Sequence, residues 1–165
     1  MKTKSFIVRL TVAVLLAAAI LAFASPDVQA GKLKVWAADF KPVYGLQDYG
    51  QYLDLHVYSG AGLRFFAMIQ VPKDTVITKL SAIYKGSNTT ALAEIYLYRV
   101  RWDGSEREEA HLVTTDGDDT NDFVTVSTTS FNNPGYVVKG KDRYMVYVYL
   151  QNSASEVRGV KITYQ

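Results

Sequence analysis

The chain has 165 residues, 48% of them hydrophobic, a formal net charge of +2 and no cysteine. The missing thiols exclude disulfides, thiolate metal sites, cysteine catalysis and a lipid-modified N-terminal cysteine. So small a net charge gives no case for a nucleic-acid partner.

Residues 1–30 have the layout of a cleaved signal peptide. Lys2, Lys4 and Arg9 form a basic start, residues 12–24 (VAVLLAAAILAFA) an uncharged apolar stretch, and Val28-Gln29-Ala30 offers small residues for cleavage after Ala30. That stretch is shorter than the about 18–20 residues of a membrane span. Three of the 18 basic and one of the 16 acidic residues lie in this segment, so the remainder carries 15 of each and is formally neutral. The expected mature protein is therefore residues 31–165, a single domain held by its apolar core. It is expected to be secreted or periplasmic, with no membrane in its mature form, and lack of disulfides suits a bacterial envelope.

The rest of the chain is punctuated like an all-β protein. Residues 31–39 hold Leu33, Val35 and Trp36 and form a first strand or a docking arm; residues 39–49, with Pro42 and Gly45, form a loop. Residues 49–58 alternate, with Leu53, Leu55 and Val57 against Tyr52, Asp54, His56 and Tyr58. Residues 63–71 follow as an apolar strand, with Phe65, Ala67, Ile69 and Val71 on one face. Phe66 and Met68 on the other face predict cover on both sides. Residues 75–84 alternate again and lead through Lys85-Gly86-Ser87-Asn88-Thr89 into a hairpin.

That hairpin organises the chain. Residues 91–102 (ALAEIYLYRVRW) stop at Asp103-Gly104, a strong signal for a two-residue type I′ turn. Such a turn pairs Arg101 with Glu106, Arg99 with Glu108, Leu97 with Ala110 and Ile95 with Leu112, which sends the apolar pairs to the core. The opposite face then carries Trp102, Tyr98, Tyr96 and Glu94, with Arg107, Glu109, His111 and Val113 across from them. Being polar, charged and aromatic together, it is the expected solvent side.

Beyond the hairpin lie an acidic loop, the β-branched run 123–129, a turn at Asn132-Asn133-Pro134-Gly135, and two alternating strands at 143–150 and 159–164. The pattern predicts a single antiparallel β-sandwich, jelly-roll-like, of about eight to ten strands. From Val71-Pro72-Lys73-Asp74-Thr75-Val76 through Glu94-Ile95-Tyr96-Leu97-Tyr98-Arg99 and Arg143-Tyr144-Met145-Val146 to Val160-Lys161-Ile162-Thr163-Tyr164, the order of features resembles a loose group of uncharacterised secreted bacterial β-sandwich domains of jelly-roll type. The resemblance implies fold and compartment and brings no catalytic residues.

Catalytic chemistry finds little footing. There are two histidines, His56 and His111, and no Gly-x-Ser-x-Gly elbow. Asp54, Glu94 and Glu109 would make an acid/base pair only if the fold brought two of them together. The loop Asp116-Gly117-Asp118-Asp119-Thr120-Asn121-Asp122 is the cluster suited to calcium, yet Asn121 stands where an EF-hand has Gly, and Ser127 where it has Glu. Its composition is also that of an ordinary turn.

All 12 tyrosines and both tryptophans follow the leader. Aromatic faces beside hydrogen-bonding groups suit sugar rings, so the leading expectation is a non-catalytic glycan-binding module. Trp102, Tyr98 and Tyr96 would stack on the sugar, with Glu94, Arg107 and Glu109 hydrogen-bonding its hydroxyls. The alternative is a structural subunit of an extracellular assembly, self-associating by adding a free 31–40 arm to a neighbour's sheet edge.

Overall fold

The computed structural model describes residues 30–43, 49–50, 56–57, 62–86, 92–114 and 122–165. Its strands are β1 (Gly31–Trp36), β2 (Lys41–Pro42), β3 (Tyr49–Gly50), β4 (His56–Val57), β5 (Leu63–Ile69), β6 (Ile77–Gly86), β7 (Ala93–Val100), β8 (Glu106–Thr114), β9 (Val124–Thr128), β10 (Arg143–Leu150) and β11 (Ser155–Tyr164). Two antiparallel sheets form, a four-stranded one in the order β1-β11-β6-β9 and a five-stranded one in the order β2-β5-β10-β7-β8. After β1 the chain crosses repeatedly between them, so each sheet is built from strands distant in sequence, as in a jelly-roll sandwich.

Alternation explains the core. Along β7 and β10 every second residue is buried, and Ile95, Leu97, Val146, Val148 and Leu150 have no exposed surface. They meet Leu80, Tyr84, Val157 and Ile162 of the other sheet, also fully buried. Each such aliphatic side chain stabilises the fold by about 1.5–3 kcal/mol. Tyr144 joins this core as its phase with Val146 requires.

Three expectations need correction. Segment 31–40 is no free arm: β1 pairs along its whole length with β11, from Gly31 opposite Tyr164 to Trp36 opposite Gly159. A short 3-10 turn, held by the Asp39 carboxylate accepting from the Trp36 N–H at 2.8 Å, then buries Ala37 and Phe40. Gly159 permits this docking, because a Cβ there would lie 2.9 Å from the Val35 carbonyl oxygen. Second, β5 is not covered on both sides, since Phe65 and Ala67 are buried while Met68 on the other face is 52% exposed. Third, Tyr49 pairs with Val57 and Gly50 with His56, so the chain doubles back where one strand was expected. Residues 51–55 and 58, with Asp54, lie outside the described residues, as does the acidic loop except for Asp122.

The central hairpin forms with a different turn. Gly104 alone has positive φ, at 79°, whereas type I′ needs it at Asp103 too. The Arg101 carbonyl accepts from the Gly104 N–H at 3.0 Å, and the Arg101 N–H donates to the Ser105 carbonyl at 2.9 Å. Trp102, Asp103 and Gly104 therefore make a three-residue loop, which shifts the first rungs by one residue. Tyr98 pairs with Glu108 and Arg99 with Arg107. A β-bulge then restores the expected register, so that Leu97 faces Ala110 and Ile95 faces Leu112.

The extra residue of the bulge is Glu109. It and Ala110 are both buried, two successive residues pointing inward. Expected among outward ligand-binding groups, Glu109 is instead 4% exposed on the core side, its Oε1 2.8 Å from Nε of the equally buried Arg99. Replacing Glu109 with Ala strands the Arg99 charge and is expected to destabilise the fold by about 3–5 kcal/mol. Urea denaturation measures this, and a loss below about 1 kcal/mol, typical of surface pairs, would contradict it.

Candidate functional site

The outer face of the five-stranded sheet is a grid set by strand register. One row runs Arg64, Tyr149, Glu94, Val113 across β5, β10, β7 and β8; the next runs Phe66, Tyr147, Tyr96, His111; the third runs Met68, Met145, Tyr98, Glu108. All twelve are partly or well exposed. They point outward because their neighbours along each strand are the core residues, so the parity that builds the core also builds this face.

The rings pack against one another. Tyr96 stacks on His111, with ring centroids 4.1 Å apart and planes within 9°, and on Tyr98 at 5.7 Å. Tyr147 meets Tyr96 and Tyr98 edge-on, at 6.0 and 6.4 Å. The Arg64 guanidinium lies 5.5 Å from the centre of the Tyr149 ring. Glu94 ties the cluster together, accepting a hydrogen bond from the Tyr96 hydroxyl and lying 3.3 Å from His111 Nε2. A shallow concavity of about 320 Å³ opens between Arg64, Glu94, Tyr96, Tyr98, Tyr147 and Tyr149.

Burial raises the Tyr96 hydroxyl pKa well above its usual range, reinforced by its hydrogen bond to Glu94; burial also raises that of Tyr98, helped by the Glu108 carboxylate. Both therefore remain neutral donors. The face offers apolar ring surface beside phenol donors, a carboxylate acceptor, a guanidinium and an imidazole. That combination recognises a hydroxylated, partly apolar ligand.

The predicted residues divide among three places. Tyr96, Tyr98 and Glu94 come together on this face. Trp102, 97% exposed at the hairpin tip, lines a separate cleft with Arg101 and Arg107. Glu109 lies on the far side of the sheet, where burial raises its carboxyl pKa against the opposing pull of Arg99. Because Glu94 faces outward and Glu109 inward, they cannot serve one bond as an acid/base pair. Sequence reasoning left out Arg64 and His111 as ligand groups. The alternation of β5 held the signal for Arg64, masked by the apolar Phe66 and Met68 beside it.

Tyr96, Tyr98, Tyr136 and Tyr144 all have hydroxyl pKa values raised above the ordinary 10.0, with burial as the first cause. In the unfolded chain these phenols ionise near their ordinary value, so folding stability is retained below it and falls as pH rises toward the folded values. The urea midpoint is expected to drop above pH of about 10. A midpoint unchanged to pH of about 11 would contradict the burial of these hydroxyls.

No family model matches the chain, and neither does any curated protein. Solved structures do. The C-terminal CBM6 of LamC, a marine laminarinase from Zobellia galactanivorans, aligns over 81% of this chain and 99% of its own with a TM-score of 0.55 and 14% identity. A carbohydrate-binding module of Cellvibrio mixtus lichenase 5A, in complex with cellotriose, aligns over 79% and 95%, with a TM-score of 0.49 and 11% identity. CsCBM6-3 from Clostridium stercorarium, in complex with cellobiose, aligns over 78% and 90%, with a TM-score of 0.49 and 13% identity. At such identities the likeness is one of fold alone, and the alignment with the CBM6 of LamC agrees with the antiparallel jelly-roll β-sandwich that the two sheets form.

Proposed function

We propose that this protein is a non-catalytic glycan-binding module, exported by its N-terminal leader, that holds its ligand across the outer face of the five-stranded sheet. One observation carries this reading: four tyrosines on two adjacent strands share a concavity with Arg64 and Glu94. A sugar has apolar C–H patches and polar hydroxyls, and this surface offers partners for both. Tyr98 and Tyr147 would take the apolar side, while Glu94 and Arg64 hydrogen-bond the hydroxyls. The fold shared with the CBM6 of LamC is compatible with that use, but the argument rests on the site. Among the described residues no helix is long and apolar enough to cross a membrane.

The test is binding of the purified protein to a broad array of neutral glycans, followed by calorimetry on the best hit. Tyr98→Ala and Tyr147→Ala are each expected to weaken binding by about 1–2 kcal/mol, roughly tenfold. Both should remain folded, since neither ring lies in the core. Trp102→Ala should bind as the parent does. A blank array on folded protein, or tyrosine variants that bind unchanged, would overturn the proposal.

A further inference from the structure

The three-residue loop and the bulge at Glu109 together sort the charges of the hairpin. With a two-residue turn and no bulge, Arg99 and Arg101 would face Glu108 and Glu106 as ion pairs. With the loop and bulge, Glu108 lies opposite Tyr98 on the outer face, and Arg99 lies directly opposite Arg107 on the inner one. Like charges placed across a strand pair are destabilising. The Glu109 carboxylate neutralises Arg99, whose guanidinium also stacks 3.7 Å from the centre of the Tyr136 ring. Among the described residues no carboxylate lies within salt-bridge distance of Arg107, which Glu109 attracts only from farther away.

This inner face runs past the end of the apolar core into a cleft of about 530 Å³ between the hairpin tip and the loop that leads into β10. Arg101, Arg107, Lys139 and Lys141 line it, all exposed. Among the described residues none of the four has a carboxylate within salt-bridge distance. The two acids of the cleft are already engaged. Asp142, 7% exposed, accepts from the Tyr136 hydroxyl and the Lys139 N–H, each at 2.8 Å. Asp103 accepts from the Ser105 N–H and hydroxyl at 2.8 and 2.6 Å. Trp102 stands at the rim, with its indole 97% exposed.

We propose that this cleft is a second binding site, specific for an anionic saccharide bearing carboxylate or sulfate groups. Arg101 and Arg107 present planar, multiple-donor guanidinium groups to the anionic oxygens, and Lys139 and Lys141 add charge from the facing loop. Trp102 supplies an aromatic wall for a sugar ring. The proposal rests on the preceding one only in expecting a saccharide. The cleft lies on the other side of the sheet from the tyrosine face, and its ligand differs in charge.

The test titrates the purified protein with polygalacturonate, dextran sulfate, uncharged dextran and a single-stranded DNA oligonucleotide at low and physiological salt. The expected result is salt-sensitive binding of one or both acidic polysaccharides and none of uncharged dextran. Preference between the two identifies carboxylate or sulfate as the recognised group. The double variants Arg101→Gln/Arg107→Gln and Lys139→Gln/Lys141→Gln, altered only at exposed positions, should retain the parent's melting temperature. Each should weaken binding about tenfold or more, since each removes charge-assisted hydrogen bonds. Tyr98→Ala should bind the acidic polymers as the parent does, which separates this site from the tyrosine face. The proposal is overturned by absence of binding, by equal binding of uncharged dextran, by Gln variants that bind unchanged, or by DNA binding as tight as that of the polysaccharides.

Discussion

The buried ion pair between Arg99 and Glu109 anchors the irregular end of the central hairpin, where the charges of the five-stranded sheet are sorted. Two opposite charges, each 4% exposed, meet at 2.8 Å at one end of the apolar core. Removing them from water costs free energy that their attraction need not recover in full, so net stability is a weak reason for the pair. Register is a better one. Glu109 reaches Arg99 because it is the extra residue of the bulge, and a hairpin with a two-residue turn and no bulge would turn this side chain outward. The pair therefore holds the rungs nearest the turn, where Tyr98 meets Glu108 and Arg99 meets Arg107, while beyond it His111 lies beside Tyr96 and Leu112 in the core.

The arrangement of function follows from that register. Outward parity on β5, β10, β7 and β8 assembles rings and hydrogen-bonding groups in three rows. The three-residue loop and the bulge turn Arg107 to the inner side, where the parity of β7 already sends Arg99. The tyrosine rows and the cluster of Arg101, Arg107, Lys139 and Lys141 thus lie on opposite sides of one sheet.

Much of this was legible in the sequence. Strict alternation in 93–100 and 143–150 placed Ile95, Leu97, Val146 and Val148 inside and Tyr96, Tyr98, Tyr147 and Tyr149 outside, because side-chain direction in a strand follows parity alone. The pairing of Leu97 with Ala110 was also legible, although the expected turn was wrong. A three-residue loop and a bulge each shift the register by one, and the shifts cancel beyond Glu109. What stayed hidden lies between those two irregularities. A bulge adds a residue without a compositional mark, and a glutamate within the run Glu106-Arg107-Glu108-Glu109 gives no sign of being the inward one. The misplacement of Glu109, Arg107 and Trp102 has this one source. The docking of residues 31–40 was hidden for another reason: its partner, β11, is at the far end of the chain, and sequence pattern does not show which strands meet.

The central claim is that the tyrosine face is the glycan surface. Its most direct test is amide and tyrosine-ring chemical-shift mapping during titration with the best neutral oligosaccharide. The account predicts perturbations concentrated at Arg64, Glu94, Tyr96, Tyr98, Tyr147 and Tyr149, with the hairpin tip at Trp102 unmoved. Perturbations confined to the hairpin tip or to the four-stranded sheet would contradict it.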